Sequence, residues 1–366
     1  MRKGWEYKRW KEVLTIINGK NQSAVVDENG EYPIYGSGGI MGYANNWLCP
    51  ENCVIIGRKG NINKPIFVET KFWNVDTAFG LNANKEYLLP KFLYYFCLDY
   101  NFERHNKAVT IPSLTKADLL KIDIPLPPLS TQLAIVSELD KINELIRLKK
   151  EQFKDFDNLA QSLFYEMFGD PVENEKGWEV KTFGEIGSVE RGAGISKKDF
   201  VKEGLPCIHY GQLHTILGPR TTKHFTSIPH NLLPKYKIAH TGDLVMAITS
   251  EDVEGSCKST VWLGDYDIIV GSDAAIFHHK QDGTFLSYYT MTKAFFNEKA
   301  KYAKGFKVTH ISAKEIEKIP VYLPPLSLQR LFAQRIEQIE REKSEVQKSI
   351  QDLETLQASR MQYWFE

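Results

Sequence analysis

Apolar residues recur at alternating steps of four and three positions through residues 135–167, and only Lys149 interrupts the pattern. This spacing predicts a long amphipathic helix with a single apolar seam of the coiled-coil kind. The Gly169-Asp170-Pro171 run predicts its end, because glycine and proline commonly follow helix C-termini. A helix of about 36 residues would be roughly 54 Å long, which is too long to pack along one small domain.

A second stretch repeats this pattern near the end of the chain. Its apolar seam runs through residues 332–353, and Gln357 and Arg360 then interrupt it. We expect the apolar stripe to shift there to Leu356 and Met361. The chain is therefore predicted to contain two long helices with similar seams.

The same short motif precedes each helix. Leu-Pro-Pro-Leu-Ser-Thr-Gln begins at Leu126, and Leu-Pro-Pro-Leu-Ser-Leu-Gln begins 197 residues later at Leu323. A second correspondence links Lys3-Gly4-Trp5-Glu6 to Lys176-Gly177-Trp178-Glu179, at an offset of 173. Solenoid repeats are about 20 to 50 residues long, so this period indicates two copies of one large module.

Ser130 and Ser327 are predicted N-caps, because a serine hydroxyl can accept a hydrogen bond from a backbone N–H of the first turn. Neither copy has another element to cover its seam, so we expect the two helices to cover each other. A pseudo-two-fold relation between the modules would make them antiparallel, with one globular domain at each end. The alternative is two unrelated helices, each packed on its own domain.

The parts that precede each helix are predicted to be mixed α/β domains. Short apolar runs at residues 53–56, 65–68, 244–248 and 267–270 predict strands. Asp-x-Ala occurs in both parts at the same offset, at Asp76 and Asp273, which indicates a shared fold.

The predicted fold class is α+β. Two mixed α/β domains, residues 1–125 and 171–320, are joined by connectors at residues 126–170 and 321–366. Each connector contributes one helix of an antiparallel coiled coil, and the whole has a pseudo-two-fold internal repeat.

Composition fits an ordinary globular chain. The 46 lysines and arginines balance 46 aspartates and glutamates, which argues against bulk electrostatic binding of nucleic acid but not against local basic surfaces. No apolar run approaches the roughly 20 residues of a membrane helix. The first residues lack a signal-peptide core, so we expect a cytoplasmic location and no membrane partner.

The five cysteines are irregularly spaced and fit free thiols in a reducing compartment. Cys49 and Cys53 alone are a weak metal signal, and structural filling is the favoured interpretation. His278-His279 is likewise interpreted as a strand end rather than a pair of metal ligands. We therefore predict no metal site.

Catalytic motifs are missing from the sequence. The glycine-rich run at residues 36–42 matches neither phosphate-binding pattern, and is interpreted as a turn or ligand-approach loop. The chain contains no methyltransferase tetrapeptide, no H-E-x-x-H and no G-x-S-x-G. We predict a protein that has no catalytic activity of its own and binds no cofactor.

Local clusters of basic and hydrogen-bonding side chains occur in both domains, including places shortly before each connector. Such side chains hold phosphates and read base edges, although a solvated charged face is the alternative for any one cluster. The candidates in the first domain are Lys20, Tyr35, Ser37, Arg58, Lys59, Asn61, Arg104, His105 and Lys107. Those in the second are Arg191, Lys197, Lys198, His209, Tyr210, Gln212, Arg220, Lys304, Lys307 and His310.

These features together resemble a specificity subunit of a type I restriction-modification system, over essentially the whole length. The family's I-x-[IV]-x-L-P-P-L-x-x-Q segment fits residues 122–132 and 319–329. The Phe168-Gly169-Asp170 end of the first helix also fits, and so do Tyr35-Gly36-Ser37-Gly38-Gly39 and Gly57-Arg58-Lys59-Gly60. The second half has no evident counterpart to the last two stretches.

The resemblance implies a non-catalytic reader of double-stranded DNA. Each of two target-recognition domains would bind half of a bipartite, asymmetric site, with the helices as a ruler between them. Two modification subunits would be recruited and, through them, restriction subunits. S-adenosylmethionine and ATP would then be bound by those partners. The helix surface, including positions near Gln132 and Gln329, is the candidate docking region.

Two alternatives stay open from the sequence. The chain could serve a methyltransferase-only defence system that lacks a nuclease, which its genomic neighbours would decide. It could also be a duplicated protein-binding scaffold that does not contact DNA. The bases that are read do not follow from the sequence.

Overall fold

The computed structural model describes residues 5–106, 110–195, 197–230, 236–305 and 308–365. The chain divides into two compact units. Unit 1 comprises Met1–Glu151 with Val346–Glu366, and unit 2 comprises Gln152–Glu345. Because the boundaries fall inside the two long helices, each unit contains one domain and part of both helices.

Unit 1 is built from short strands and helices, followed by the first long helix. These are β1 (Glu6–Arg9), α1 (Trp10–Val13), β2 (Leu14–Asn18), β3 (Tyr32–Gly36), β4 (Gly39–Ala44), β5 (Cys53–Gly57), β6 (Ile66–Val68), β7 (Trp73–Asn74), β8 (Ala78–Ala83), α2 (Pro90–Asp99), α3 (Lys116–Leu119), β9 (Asp123–Leu126) and α4 (Leu129–Phe168). A 3-10 turn spans Phe102–His105.

Two sheets form the body of unit 1, in the orders β2-β8-β5-β6 and β4-β3-β7. Strand β5 is buried along its whole length, which agrees with its continuous apolar run Cys-Val-Ile-Ile. The core packs Trp10, Phe79, Phe92 and other apolar side chains against the sheet. The two ends of the domain are tied together by β1, which pairs antiparallel with β9.

The first part of α4 and the last part of helix α10 (Leu326–Phe365) complete unit 1. Ile135 and Leu139 of α4 and Met361 of α10 belong to the same apolar core as the domain. Trp5 stacks on Trp364, with ring centroids 6.3 Å apart. Both helices therefore pack on the domain as well as on each other.

Unit 2 has a longer series of elements before its helix. These are β10 (Glu179–Thr182), α5 (Phe183–Ile186), β11 (Gly187–Arg191), β12 (Leu205–Ile208), α6 (Tyr210–Thr215), β13 (Arg220–Thr221), β14 (Thr226–Ile228), β15 (Lys237–Ala239), β16 (Leu244–Ala247), β17 (Thr249–Ser250), β18 (Ser259–Trp262), β19 (Ile268–Val270), β20 (Ala274–His279), α7 (Gly283–Tyr289), α8 (Lys293–Ala300), β21 (Thr309–His310), α9 (Ala313–Ile316) and β22 (Pro320–Leu323). A 3-10 turn spans Lys197–Asp199.

The main sheets of unit 2 have the orders β11-β20-β16-β18-β13 and β14-β12-β19-β15. Two small pairs, β10-β22 and β17-β21, accompany them. The last part of α4 packs on the first part of α10, where Phe164 and Phe332 lie 5.6 Å apart between ring centroids. Phe168 contacts Phe285 of α7 at 4.9 Å.

The two units repeat one fold, as the sequence predicts. Strands β2, β8 and β5 of unit 1 pair in the same order and directions as β11, β20 and β16 of unit 2. The parallel pair β3-β7 matches β12-β19. The predicted fold class is confirmed, and the four predicted strands are present with ends displaced by at most one residue. Within each unit, the α4 and α10 segments run antiparallel.

The predicted alignment of the two Asp-x-Ala motifs is one residue out. The N–H of Gly19 donates to the carbonyl of Ala78 (3.2 Å), and that of Gly192 donates to Ala274 (2.9 Å). The glycines are 173 positions apart and the alanines 196, whereas the motif alignment needs 197. Ser272 therefore takes the place of Asp76. Strands β9 and β22 are again 197 apart, so unit 2 gains one residue between these points.

The predicted N-caps are wrong. The helices begin at Leu129 and Leu326, and Ser130 and Ser327 lie inside their first turns. The carbonyl of Pro128 already accepts hydrogen bonds from the N–H groups of Thr131 (2.8 Å) and Gln132 (3.0 Å). The proline before each helix is thus the cap residue, because its carbonyl starts the helical hydrogen bonding. Pro325 is bonded in the same way.

One detail of the seam also differs from prediction. Met361 is buried as expected, but Leu356 is exposed. Arg360 turns instead to Glu138, and Gln357 donates its amide to Asn143. Polar side-chain pairs therefore replace apolar contacts in this part of the seam.

No helix among the described residues is long and apolar enough to cross a membrane.

Candidate nucleic-acid interface

A tight turn at Val75–Thr77 gathers the loops of one edge of unit 1. The N–H of Val75 donates to the carbonyl of Tyr35 at the end of β3 (2.9 Å). The N–H of Arg58, just after β5, donates to Thr77 (2.8 Å). Gly19, after β2, approaches so closely that an added Cβ would overlap the carbonyl oxygen of Val75. Three strand ends therefore meet at this turn.

The loops around this turn carry five predicted site residues, which we call the loop edge of unit 1. They are Lys20, Ser37, Arg58, Lys59 and Asn61. The side chains of Lys20, Arg58, Lys59 and Asn61 are exposed, and that of Ser37 is half-buried. The structure thus brings together residues that are up to 41 positions apart.

Arg58 is partly held in place. Its Nη1 donates to the carbonyl of Asp76 (3.4 Å), and its guanidinium lies 5.8 Å from the ring centroid of Phe79. A Cβ on Gly38, at the hairpin tip between β3 and β4, would lie 3.8 Å from Nδ2 of Asn61. Cationic and amide groups therefore share one exposed surface, which suits contacts with both phosphates and base edges.

The other candidates of unit 1 are placed less favourably. Tyr35 is half-buried against Phe72, with ring centroids 5.6 Å apart, and its burial raises the pKa of its hydroxyl. His105 is hydrogen bonded to Tyr100 (2.6 Å). Arg104 is exposed on the 3-10 turn. Lys107 lies outside the described residues.

Unit 2 has a matching turn at Gly271–Asp273. The N–H of Gly271 donates to the carbonyl of Ile208 at the end of β12 (2.9 Å), and the N–H of Ile248 donates to Asp273 (3.0 Å). Gly192 approaches the turn as Gly19 does, and its Cβ would overlap the carbonyl oxygen of Gly271. The same three strand ends therefore meet.

Arg191 is the guanidinium nearest this turn among the predicted residues. Its Nε donates to the carbonyl of Ser272 (2.8 Å), and its Nη2 lies 3.9 Å from a carboxylate oxygen of Asp273. Arg58 contacts the equivalent turn of unit 1 from a different strand. An arginine side chain thus donates a hydrogen bond to this turn in both units, although the two arginines lie at the ends of different strands.

The His209–Gln212 cluster follows β12 as Ser37 follows β3. Tyr210 is exposed, and His209 is half-buried against Phe200, with ring centroids 4.9 Å apart. Gln212 is buried, and its Oε1 accepts a hydrogen bond from the N–H of His209 (3.2 Å). Gln212 therefore caps α6, and Tyr210 is the member that faces solvent.

Lys304 and His310 lie together next to β17. Their backbones form an antiparallel bridge, and both side chains are exposed. Nζ of Lys304 donates to Glu315 (2.5 Å), and His310 pairs with Thr249 across β17-β21. Lys198 is exposed on its 3-10 turn, where only the backbone of Lys197 is described. Lys307 lies outside the described residues.

Arg220 lies at the other end of the sheet. It pairs with Val261 of β18, and Val261 in turn pairs with Leu244 at the start of β16. The Gly271–Asp273 turn instead contacts Ile248, the residue after the end of β16. The charge of Arg220 reaches Asp282, where burial raises the pKa and Arg220 opposes that rise, and Glu337, whose pKa is lowered mainly by a hydrogen bond from Arg341 and to a smaller extent by Arg220. Arg220 is thus separate from the loop edge of unit 2, defined by Arg191, Tyr210, Thr249, Glu251 and His310.

The sequence failed to reveal the counterpart of the Arg58-Lys59 loop, but the structure does. Thr249 pairs with His310 as Lys59 pairs with Ser113. The residue types differ so much that no motif connects them. The predicted strand at residues 244–248 could have located this loop, because the residues that directly follow the strand form it.

The cysteines and histidines show no metal chemistry in the described part of the chain. Cys49 donates its thiol to Asn74 (3.2 Å), and burial raises the pKa of Cys53 to about 12. No group of three or more His, Cys, Asp and Glu residues among those described could hold an ion. His278 is bonded to Asp243 (2.8 Å) at the end of β20.

The family model of the type I restriction modification DNA specificity domain matches residues 2–155 and 175–355. The chain belongs to this family. The two matches cover most of the chain and follow its two copies of the module. The predicted resemblance is therefore confirmed, and the chain is a DNA-specificity component rather than a catalytic subunit.

Related proteins agree with this assignment. The chain is 24% identical to the type I restriction enzyme MjaVIII specificity subunit of Methanocaldococcus jannaschii, over 94% of this chain and 90% of that protein. It is 22% identical to the EcoDI specificity subunit of Escherichia coli, over 92% and 81%.

Solved structures share the fold of this specificity protein. The S subunit of a type I restriction-modification system from M. genitalium superposes with a TM-score of 0.59 at 14% identity, covering 99% of this chain and 96% of that one. A chain from a study of complex assembly and conformational transition in the type I R-M system gives 0.62 at 19% identity, covering 99% and 97%.

Proposed function

We propose that this chain binds a bipartite, asymmetric site in double-stranded DNA, with one half-site read by the loop edge of each unit. The main support is that the two units share one backbone arrangement at the loop edge but present different side chains there. Both units bring the same three strand ends to one turn. The side chains presented there differ almost completely, as expected if each edge reads a different sequence.

In unit 1, Arg58, Lys59 and Asn61 are the proposed contacts, supported by Lys20 and Ser37. In unit 2, Arg191, Tyr210 and His310 take this role, with Lys198 and Lys304 near the phosphates. The charges are local, so the balanced net charge of the chain does not oppose the proposal.

We further propose that the helices recruit two modification subunits, and restriction subunits through them. Leu159 and Leu356 occupy equivalent positions 197 residues apart and are 51% and 46% exposed. Repeated exposed apolar residues suit two copies of one partner. Gln132 and Gln329 themselves are buried, so exposed neighbours such as Leu133 and Leu331 would form that part of the docking surface.

The test is co-expression of the chain with its neighbouring modification subunits in a methylation-free host. Sequencing should reveal one methylated motif with two defined halves separated by a fixed spacer. Exchange of the domain of unit 2 for that of a relative should change one half only. Methylation without a sequence preference, or a single undivided motif, would contradict the proposal.

A further inference from the structure

The loop after β16 begins along the same backbone path as the loop after β5. Leu114 donates its N–H to the carbonyl of Arg58 (2.9 Å), and Ile311 donates to Ile248 in the same way (3.0 Å). The next residues pair with the same strand, as Lys59 with Ser113 and Thr249 with His310. The two loops are therefore aligned by their hydrogen bonds, without any sequence identity.

Asn61 and Glu251 follow two positions after the aligned pair Lys59 and Thr249, where the two backbones part because Gly60 has a φ of +80° and Ser250 does not have a positive φ. Asn61 lies three positions beyond Arg58, and Glu251 lies three positions beyond Ile248. Both side chains are exposed. Asn61 lies beside Gly38 of the neighbouring hairpin, and Glu251 lines one cleft of unit 2 with Tyr210 and Gly211. Glu251 is thus on the same cleft as the loop that follows β12.

Glu251 is not used by the fold. Among the described residues its carboxylate has no hydrogen bond or ion pair, in contrast to the next residue. Asp252 accepts a hydrogen bond from the N–H of Gly255 (2.6 Å) and so closes the loop. Lys299 holds the same loop through the carbonyls of Glu254 and Ser256. The loop is fixed by its neighbours, and Glu251 projects from it without a structural task.

We propose that Glu251 reads a base in the half-site of unit 2, by accepting a hydrogen bond from an exocyclic amino group in the major groove. This inference rests on the proposed function. Phosphates repel an exposed carboxylate, so it gains only where it meets a donor. N4 of cytosine and N6 of adenine are such donors, whereas a keto oxygen at the same place would face it with a second acceptor.

The experiment compares Glu251→Gln with Glu254→Gln in the full chain, co-expressed with the modification subunits. Glu254 is exposed on the same loop, where its carbonyl accepts a hydrogen bond from Lys299 and its carboxylate acts on the charge of that lysine, so its variant changes the charge of the loop equally. In Glu251→Gln, one position of one half-site should accept a keto base. Discrimination there should fall by about 10- to 100-fold, and the other half-site should be unchanged. Glu254→Gln should keep the wild-type motif.

Asn61→Ala supplies the reciprocal test, because it should relax the other half-site instead. If a variant methylates too weakly to map, binding of the same complex to duplexes with each base pair at each position gives the same readout. An unchanged motif in Glu251→Gln, or equal relaxation in Glu254→Gln, would overturn the assignment of Glu251. Loss of a defined motif in the wild-type complex would overturn the proposed function instead.

Discussion

The side-chain oxygen of Gln132 accepts a hydrogen bond from the N–H of Leu89, at 2.9 Å. Leu89 is the residue before α2, so the first turn of the long helix is bonded to the first turn of a domain helix. Nε2 of Gln132 donates to the carbonyls of Tyr87 (2.8 Å) and Pro127 (2.9 Å). Every polar atom of this buried amide therefore has a partner.

Unit 2 repeats the arrangement. Oε1 of Gln329 accepts from the N–H of Asp282 (3.0 Å), the residue before α7. Its Nε2 donates to Gln281 (3.0 Å) and Pro324 (2.8 Å). The glutamine of each Leu-Pro-Pro-Leu motif is thus a structural link between helix and domain.

Replacement of Gln329 by Leu should destabilise unit 2 by about 2 to 3 kcal/mol, because buried groups that lose a partner cost roughly 1 to 3 kcal/mol. Hydrogen exchange at the start of α7 should accelerate. The control is Gln334→Leu on the exposed face of the same helix, which should stay within about 0.5 kcal/mol of wild type. Equal stability of the two variants would contradict the proposed link.

The helix pair in unit 1 should depend on pH through Glu138. Its carboxylate accepts hydrogen bonds from Arg360 and from Nε1 of Trp364 (3.1 Å), and the hydrogen bond from Arg360 is the main cause of its lowered pKa. Because the folded pKa is depressed, this stabilisation is present above the unfolded value of 4.5. It is lost as the pH falls through the folded value.

Glu138→Gln should therefore unfold more readily than wild type at pH 7, and the difference should shrink in acid. Urea unfolding at several pH values measures this. A cycle with Arg360→Gln isolates the coupling. A Glu138→Gln effect that is the same at pH 7 and pH 3 would show that the charge is not responsible.

Acid should also destabilise unit 2 through His279. Burial lowers the pKa of this imidazole from 6.5 to about 4. The unfolded state binds more protons between these values, so stability should fall as the pH decreases from 6.5 to 4 and level off below. The free energy of unfolding should fall by at most about 3 kcal/mol between pH 6.5 and pH 4. His279→Phe should flatten this part of the profile, and an unchanged slope would refute the assignment.

Replacement of Arg58 and Lys59 by Ala should weaken DNA binding by the assembled complex. A phosphate contact would lower affinity for all sequences and flatten the salt dependence, whereas a base contact would cost about 1 to 3 kcal/mol and relax one position. The control is Lys11→Ala with Lys121→Ala, which removes the same charge near the other end of β2. If both double variants bind equally, the loop edge of unit 1 is not the interface.

The sequence by itself determined the duplication, the two long helices and the main buried strands. These features follow from local patterns, since helix seams and apolar runs depend on residues only a few positions apart. The repeated motif marked where each helix begins, although it did not show that the cap residue is proline. Residues 58–61 and 209–212 were also recognisable from their composition.

Only the tertiary structure decided which candidates lie together and which serve the fold. Lys20, Ser37 and Arg58 meet because three strand ends are hydrogen bonded to one turn, and such pairing between distant residues leaves no local signal. Gln132, Gln212 and Gln329 resemble surface residues in sequence, yet burial gives each amide a structural partner. The loop that carries Glu251 could be matched to the Arg58-Lys59 loop only through backbone hydrogen bonds, because the two loops share no sequence.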